Sequence, residues 1–518
     1  MPARILMIGL DAAEPELVER WTGDGSLPTL RALRERGLFG RLASTAEWLV
    51  GSPWPAFYTG TPPSETGLYH SIIWRPERLD HVRPSAAELE LVPFWRRFGD
   101  QDPRVLAFDV PLTQHAGPFN GVEINGWANT DLLDPPFASP PDALARLVAR
   151  HGSPHRAVEN YRLESVDALL ALRDEQIGVT AAIGGAAAQL LRDDTWDLAL
   201  VSIHTAHYSG HKLWDDRNVA GAVPARQRDA LDGALRAVYA ACDAAVARLI
   251  EAAAPAVVVV FSLHGMGPNT CRTDLLGEML RRVLAGSRRP PRGALDQLAH
   301  LARGTLPAEL RFAVKRRLPQ ALSDRLTVFW RTGTRDWAST RAFNVFSDLR
   351  GYVRVNQRGR ERHGIVAEGA ERDALLDEIV AGIASFCDAD TGEPVLAASR
   401  RIETLYPTGR MRDRLPDLIL RWSDVPAARH HALTSERFGT IDWPTPGRLF
   451  SGRSGNHRGD GFLIADGLGS RAPRPDMHIL DLAPTVCDLL GVPPPPGATG
   501  RSLRPRSPHS AIQSLSAS

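Results

Sequence analysis

Short apolar runs alternate with amphipathic stretches along the first half of the chain. Arg4–Leu10 (RILMIGL) reads as a buried strand, and Leu27–Arg36 (LPTLRALRER) places Leu27, Leu30 and Leu33 on one helical face. Val105–Val110 (VLAFDV), Asp197–Ile203 (DLALVSI) and Ala256–Leu263 (AVVVVFSL) read as further strands. The last two are almost continuously apolar, as in strands covered on both faces. Ala-rich Asp229–Ala253 between them reads as a helix. This alternation predicts an α/β fold: a doubly wound, mainly parallel central sheet with helices on both faces.

The pattern changes at Leu280–Arg335, which is Arg-rich, helical in spacing and broken by Arg289-Pro290-Pro291 and Leu318-Pro319. A helical insert or lid is expected there. Strand character returns at Gly351–Asn356, Leu418–Trp422 and Phe462–Ala465, and Met477–Leu490 reads as a closing helix stopped by Pro493–Pro496. The expected division is a catalytic core of residues 1–279 and 336–504, an insert of residues 280–335, and a Ser-rich disordered tail, 505–518.

Composition narrows the function classes. Lys+Arg 61 against Asp+Glu 60 leaves a net charge of +1, which argues against a dedicated nucleic-acid binder. The longest apolar run, Ala256–Leu263, is far short of the ~20 residues that cross a bilayer. The N-terminal apolar stretch soon meets Asp11 and Glu14, so it is expected to be a strand and not a secretory signal. The 4 cysteines form no CxxC, which argues against a disulfide frame or a structural zinc site. The expectation is a soluble, cytoplasmic enzyme with no nucleic-acid or membrane partner, its oligomeric state left open.

Candidate chemistry gathers at strand ends, where sites form in open α/β sheets. Asp11 follows the first strand and is read either as a hard metal ligand or as a helix N-cap. Ser52 precedes Pro53, the pattern of an N-cap with proline in the first turn. A hydroxyl there faces the positive end of the helix dipole, which binds an anionic ester and favours an alkoxide; simple capping is the other reading. His204, His207 and His211 follow the Asp197–Ile203 strand, and an i, i+4 histidine pair on a helical turn presents two imidazoles to one ion. His264 directly follows the Ala256–Leu263 strand, and His457 precedes Phe462–Ala465. Singly, each is an ordinary rim histidine; with Asp11, Ser52, His207 and His211 they form a set.

This order of motifs resembles the alkaline phosphatase superfamily, in its type I phosphodiesterase/nucleotide pyrophosphatase-like branch. Asp11 after the opening strand resembles that family's first metal carboxylate. Trp54-Pro55-Ala56-Phe57-Tyr58-Thr59-Gly60 with Pro63 and Gly67 resembles the segment after its nucleophile, and Ser262-Leu263-His264-Gly265 its S-D-H-G turn. Asn356-Gln357-Arg358-Gly359-Arg360 resembles its N-x-x-GR element, and Gly455-Asn456-His457-Arg458 its late metal-binding histidine. Asp481-Leu482-Ala483-Pro484-Thr485, Gly491-Val492-Pro493 and Gly500-Arg501-Ser502-Leu503 resemble its C-terminal signature.

The resemblance implies metal-dependent hydrolysis of phosphate esters, with a diester or nucleotide-like compound as the small anionic substrate. Ser52 would attack phosphorus and form a covalent phosphoseryl intermediate. It implies one or two divalent ions, zinc foremost, with manganese or iron as alternatives. His207, His211 and His457 would hold one; Asp11, His264 and Ser52 would hold the other. The chain departs from the family at four places. His207 stands where an Asp is usual, Leu263 replaces the Asp of S-D-H-G, Thr66 replaces a His, and the usual nucleophile register falls on Val50. Sulfatase, phosphonate hydrolase or phosphotransferase chemistry is the first alternative, although no cysteine lies in a C-x-P-x-R stretch. A non-catalytic binding protein is the second.

Overall fold

Alternate residues of the first strand, Ala3–Leu10, enter two different cores. Leu6, Ile8 and Leu10 enter one and Ile5 and Met7 the other, since successive strand side chains point to opposite faces. The strand Trp196–Ile203 divides the same way, with Ala199, Val201 and Ile203 on one side and Leu198 and Leu200 on the other. Both faces are covered, which is why these strands are apolar throughout.

This arrangement is seen in a computed structural model that describes residues 3–98, 103–115, 119–154, 163–217, 219–286, 322, 336–427, 430–443 and 452–505. The insert expected at 280–335 and the tail expected at 505–518 lie outside the described residues, apart from 280–286, 322 and 505. Residues 280–285 complete the helix Thr273–Ala285.

The main sheet has eight strands in the order Leu38–Leu42, Gly461–Asp466, Val257–Ser262, Ala3–Leu10, Trp196–Ile203, Val105–Phe108, Gly121–Asn125, Phe137–Ser139. The run from Val257–Ser262 to Gly121–Asn125 is parallel, and the outer strands pair antiparallel. Ile5 lies between Val257 and Leu198 in register. The sheet is doubly wound and mainly parallel, as the alternation predicts. The strand Val105–Phe108 ends where Asp109 turns the chain with φ +52°.

One face carries Pro15–Gly23, Pro28–Arg36, Val166–Asp193 and Ala234–Ala253. The helix expected over Asp229–Ala253 is two pieces, Arg228–Asp232 and Ala234–Ala253, separated at Gly233. Val166–Asp193 packs closely on Ala234–Ala253, since a Cβ on Gly184 would lie 3.0 Å from that of Ala245.

A second, four-stranded antiparallel sheet orders Ala342–Asn344, Gly351–Val355, Leu418–Trp422 and Leu396–Arg401. Helices Thr273–Ala285 and Ala370–Ala384 cover it around a third core. The Asn356–Arg360 motif serves this unit. Arg360 donates from both terminal nitrogens to the Asp417 carboxylate at 2.7 Å, and Asn356 Nδ2 donates to the carbonyls of Thr340 and His363.

The closing segment is a short turn, Ile479–Asp481, followed by the helix Leu482–Leu490. Asp481 Oδ1 accepts from Arg501 N at 2.7 Å and Thr485 Oγ1 from Leu503 N at 2.9 Å. The C-terminal signature is therefore a clasp that returns the chain to this helix. Among the described residues no helix is long and apolar enough to cross a membrane, and the cysteines form no disulfide.

Candidate metal centre

The carboxyl ends of three neighbouring parallel strands converge. Ala3–Leu10 delivers Asp11, Trp196–Ile203 leads into the helix Thr205–Leu213, and Val257–Ser262 leads to His264. Asp11 N donates to Ile203 O at 2.9 Å, which locks two strand ends together. His207 and His211 share a helix face as their spacing predicts, with ring centroids 4.9 Å apart.

His457 arrives from far along the chain. Its strand, Gly455–Arg458, pairs antiparallel with Gly265–Pro268 and sets His457 opposite Met266. The His457 ring lies 4.8 Å from that of His207, 4.9 Å from His211 and 4.7 Å from His264. Gly455 permits this, because a Cβ there would fall 2.1 Å from Gly210 O in the histidine helix. Across that contact His211 Nδ1 donates to Gly455 O at 3.1 Å, and Ser454 N donates to His211 O at 2.9 Å.

Asp11 is 2 % exposed and caps no helix; the next begins at Pro15, with Glu14 as its cap. Asp11 Oδ2 accepts from His207 Nδ1 at 2.7 Å and Oδ1 from the Trp54 indole N–H at 2.9 Å, while His264 Nε2 lies 3.6 Å from Oδ1. Burial opposes ionisation of Asp11, but His207, His264 and Trp54 together outweigh it and hold the carboxyl well below the usual range. Burial pushes His264 down to about 4, against the pull of Asp11. It also pushes His211 down, helped by Arg453 and His207, and His457, helped by the neighbouring imidazoles. These three rings are therefore neutral near pH 7, the form that ligates a cation.

Ser52 is placed differently. It is fully buried, its Oγ lies 2.6 Å from Leu49 O as a donor and 2.7 Å from Thr45 Oγ1, and it makes no side-chain cap to the helix Pro53–Thr59. Among the described residues its hydroxyl has no hydrogen bond to the imidazole cluster. His204 is buried at the start of the histidine helix, its ring edge-on to Tyr208 at 5.5 Å. Leu263 lies in the apolar core with Phe261, and Val50 N donates to the Tyr352 hydroxyl at 3.2 Å.

Further residues shape the site that spacing alone does not reveal. Trp54 donates its indole N–H to Asp11. Glu14 Oε2 accepts from Met266 N at 2.8 Å and so fixes the strand opposite His457. Asp131 Oδ2 lies 3.7 Å from His207 Nδ1, and Tyr208 stacks on the His207 ring at 5.5 Å.

The donor set fits a divalent cation. One ligand nitrogen each from His207, His211 and His457 lie within 4.8 Å of one another. Among the described residues, Nδ1 of buried His264 and Nδ1 of half-buried His457 have no hydrogen-bond partner. Imidazole-rich sets suit zinc and other late first-row ions.

No curated protein matches the chain in sequence. Among solved structures it is similar to phosphonoacetate hydrolase from Sinorhizobium meliloti 1021, at 15% identity over 95% of this chain and 96% of that one, TM-score 0.48. It is also similar to human ectonucleotide pyrophosphatase/phosphodiesterase 5, at 12% identity over 99% of each chain, TM-score 0.43. A mutant of the alkaline phosphatase PafA matches at 12% identity over 97% of this chain and 98% of that one, TM-score 0.45. Residues 5–425 match the model of the type I phosphodiesterase / nucleotide pyrophosphatase family, and this chain belongs to that family of phosphoric ester hydrolases.

Proposed function

We propose that the chain hydrolyses phosphate esters with a divalent cation, and that phosphodiesters or nucleotide-like compounds are its substrates. The observation that carries this reading is the meeting of His207, His211, His264 and His457 with Asp11 at the strand ends of a phosphoric ester hydrolase fold. One or two ions, zinc foremost with manganese or iron as alternatives, would be held there. A bound cation supplies Lewis-acid charge to the phosphoryl oxygens and the leaving group. His207, His211 and His457 would hold it, with Asp11 and His264 beside them.

Ser52 is the proposed nucleophile: its oxygen displaces the ester's alcohol from phosphorus, the hydroxyl proton leaving with that alcohol, and water then cleaves the phosphoseryl ester to restore the serine and release the phosphate product. For this its hydroxyl must leave Leu49 O and Thr45, so a side-chain rotation precedes attack. That commitment of the hydroxyl favours a second route, in which a solvent water attacks phosphorus directly. Ser52→Ala decides between them: loss of turnover with metal content kept supports the seryl route, and retained turnover supports direct attack by water.

The test of the function itself is a panel of aryl phosphate mono- and diesters, phosphonates and sulfates, run with zinc, manganese or iron. Diester turnover that disappears on chelation and returns with metal is expected. Turnover indifferent to a chelator overturns the reading, and turnover of sulfates or phosphonates alone reassigns the substrate class. No turnover on the whole panel by metal-loaded protein supports a non-catalytic binding role.

A further inference from the structure

A separate group of metal-type side chains lies in another sheet, the three antiparallel strands Cys387–Asp388, Ala432–Thr434 and Ile441–Asp442. Asp388 ends the first of these strands and opens a tight turn. Its Oδ1 accepts from the Asp390 and Thr391 amides at 3.0 and 3.1 Å. Gly392, at φ +75°, closes the turn by donating its amide to Asp388 O at 2.8 Å. One carboxylate oxygen is thus committed to the turn, and Oδ2 is left for a partner outside it.

The segment that enters Ala432–Thr434 carries His430 to that oxygen. His431 N donates to Asp390 Oδ2 at 2.9 Å and Trp443 N to His431 O at 2.7 Å, so the backbone beside His430 is held against the turn. His430 Nδ1 lies 3.0 Å from Asp388 Oδ2 and 3.8 Å from Asp390 Oδ2. One ligand atom from each of the three residues falls within 4.8 Å of the others.

Asp388 is 1 % exposed, yet among the described residues neither its Oδ2 nor His430 Nδ1 has a hydrogen-bond partner. The two atoms are as close as an ion pair, but their approach lacks the direction of a hydrogen bond. A carboxylate oxygen buried without a donor is costly, and each such atom in a folded protein calls for an explanation. Arg272 does not supply the donor. It lies near enough to feel the Asp388 charge, but its terminal nitrogens donate to Thr270 O and Val425 O.

A cation accounts for the arrangement. Two donor atoms about 2.1 Å from one tetrahedral ion stand roughly 3.4 Å apart. The separations of His430 Nδ1 from the two carboxylates fall on either side of that value. An imidazole with two carboxylates suits manganese(II) or zinc, whereas calcium takes oxygen ligands. Asp388 lies at the base of the group, and the Asp390 side chain is exposed at its mouth, so an ion has a way in and water can complete its shell.

We propose that Asp388, Asp390 and His430 form a further divalent-cation site, separate from the centre at the strand ends. The ion would tie the turn after Cys387–Asp388 to the segment preceding Ala432–Thr434, a structural role that does not depend on the hydrolase reading.

The experiment counts ions on the full chain. Protein is equilibrated by dialysis against manganese(II) or zinc, and bound metal per chain is measured by elemental analysis. Asp388→Asn is the first variant, because the Asn oxygen still accepts the turn amides while the ligand oxygen becomes an amide nitrogen. His430→Ala, away from the turn, is the second. Each should hold one ion fewer than the parent, and the two combined should hold no fewer than either alone. A protein carrying both His211→Ala and His457→Ala should keep this ion and lose it when His430→Ala is added. Ion counts in Asp388→Asn and His430→Ala equal to the parent's overturn the proposal and leave the hydrolase reading intact. A count that falls with His430→Ala but not with His211→Ala and His457→Ala supports the proposal and overturns the metal centre above. A parent protein that binds neither ion overturns both.

Discussion

Glu14 shows how a side chain outside the imidazole cluster sets its shape. It is 3 % exposed and accepts the amide of Met266, the residue paired with His457. Burial, only partly offset by the Met266 and Glu16 amides, raises its pKa to about 7. That is above the ordinary value, so the stability it contributes is complete below about pH 4.5 and is lost as pH rises through about 7. Glu14→Gln keeps a carbonyl acceptor for Met266. The variant should lose less stability than the parent between about pH 5 and about pH 8, by on the order of 3 kcal/mol. Urea unfolding at each pH checks this, and parallel losses in both proteins would refute it. Asp11, His264 and His457 were legible in the sequence because each lies beside a recognisable strand, and His207 with His211 because of their helical spacing. Glu14, Trp54 and Asp131 were not. Their roles come from contacts across the fold, and Met266 lies 252 positions beyond Glu14.

The helix Thr205–Leu213 and the strand Gly455–Arg458 act as one unit at the scale of elements. Their backbones meet where Gly455 has no side chain, and the His211–Gly455 hydrogen bond crosses the contact. Gly455→Ala would place a Cβ against a carbonyl oxygen, so the two elements must part. A loss of ~1–3 kcal/mol in the apoprotein is expected, together with weaker zinc binding. Unfolding and zinc titration of the same variant test both halves, and unchanged zinc affinity would show that the contact does not aim His211. Strand and helix types were readable here, but the antiparallel pairing of Gly265–Pro268 with Gly455–Arg458 was not. Both segments are short and rich in glycine, and so carry little periodic signal.

Across the whole molecule, the order of strands and helices gave away the parallel sheet, because doubly covered strands leave long apolar runs. The second, antiparallel sheet was only half visible. Gly351–Asn356 and Leu418–Trp422 were read as strands, but nothing local says that Arg360 and Asp417 join the ends of that unit. The proposed ligand residues come from both halves of the chain, so an ion that binds only the folded form would stabilise all of it. At a zinc concentration about 1,000 times Kd the stabilisation is ~4 kcal/mol. Thermal unfolding should therefore shift upward on zinc addition and downward with a chelator, and His457→Ala should remove the part of the shift that the imidazole cluster supplies.

The remote origin of His457 also bears on how the protein is made. Gly455, whose carbonyl holds His211, lies 244 positions further along the chain. During synthesis the two histidines of the helix leave the ribosome early and wait for a third partner that is still untranslated. A nascent chain halted before that strand has no complete seat for the ion, however much of the sheet has already folded. On the metal-dependent reading proposed above, capture of the ion would mark translation as having passed residue 457.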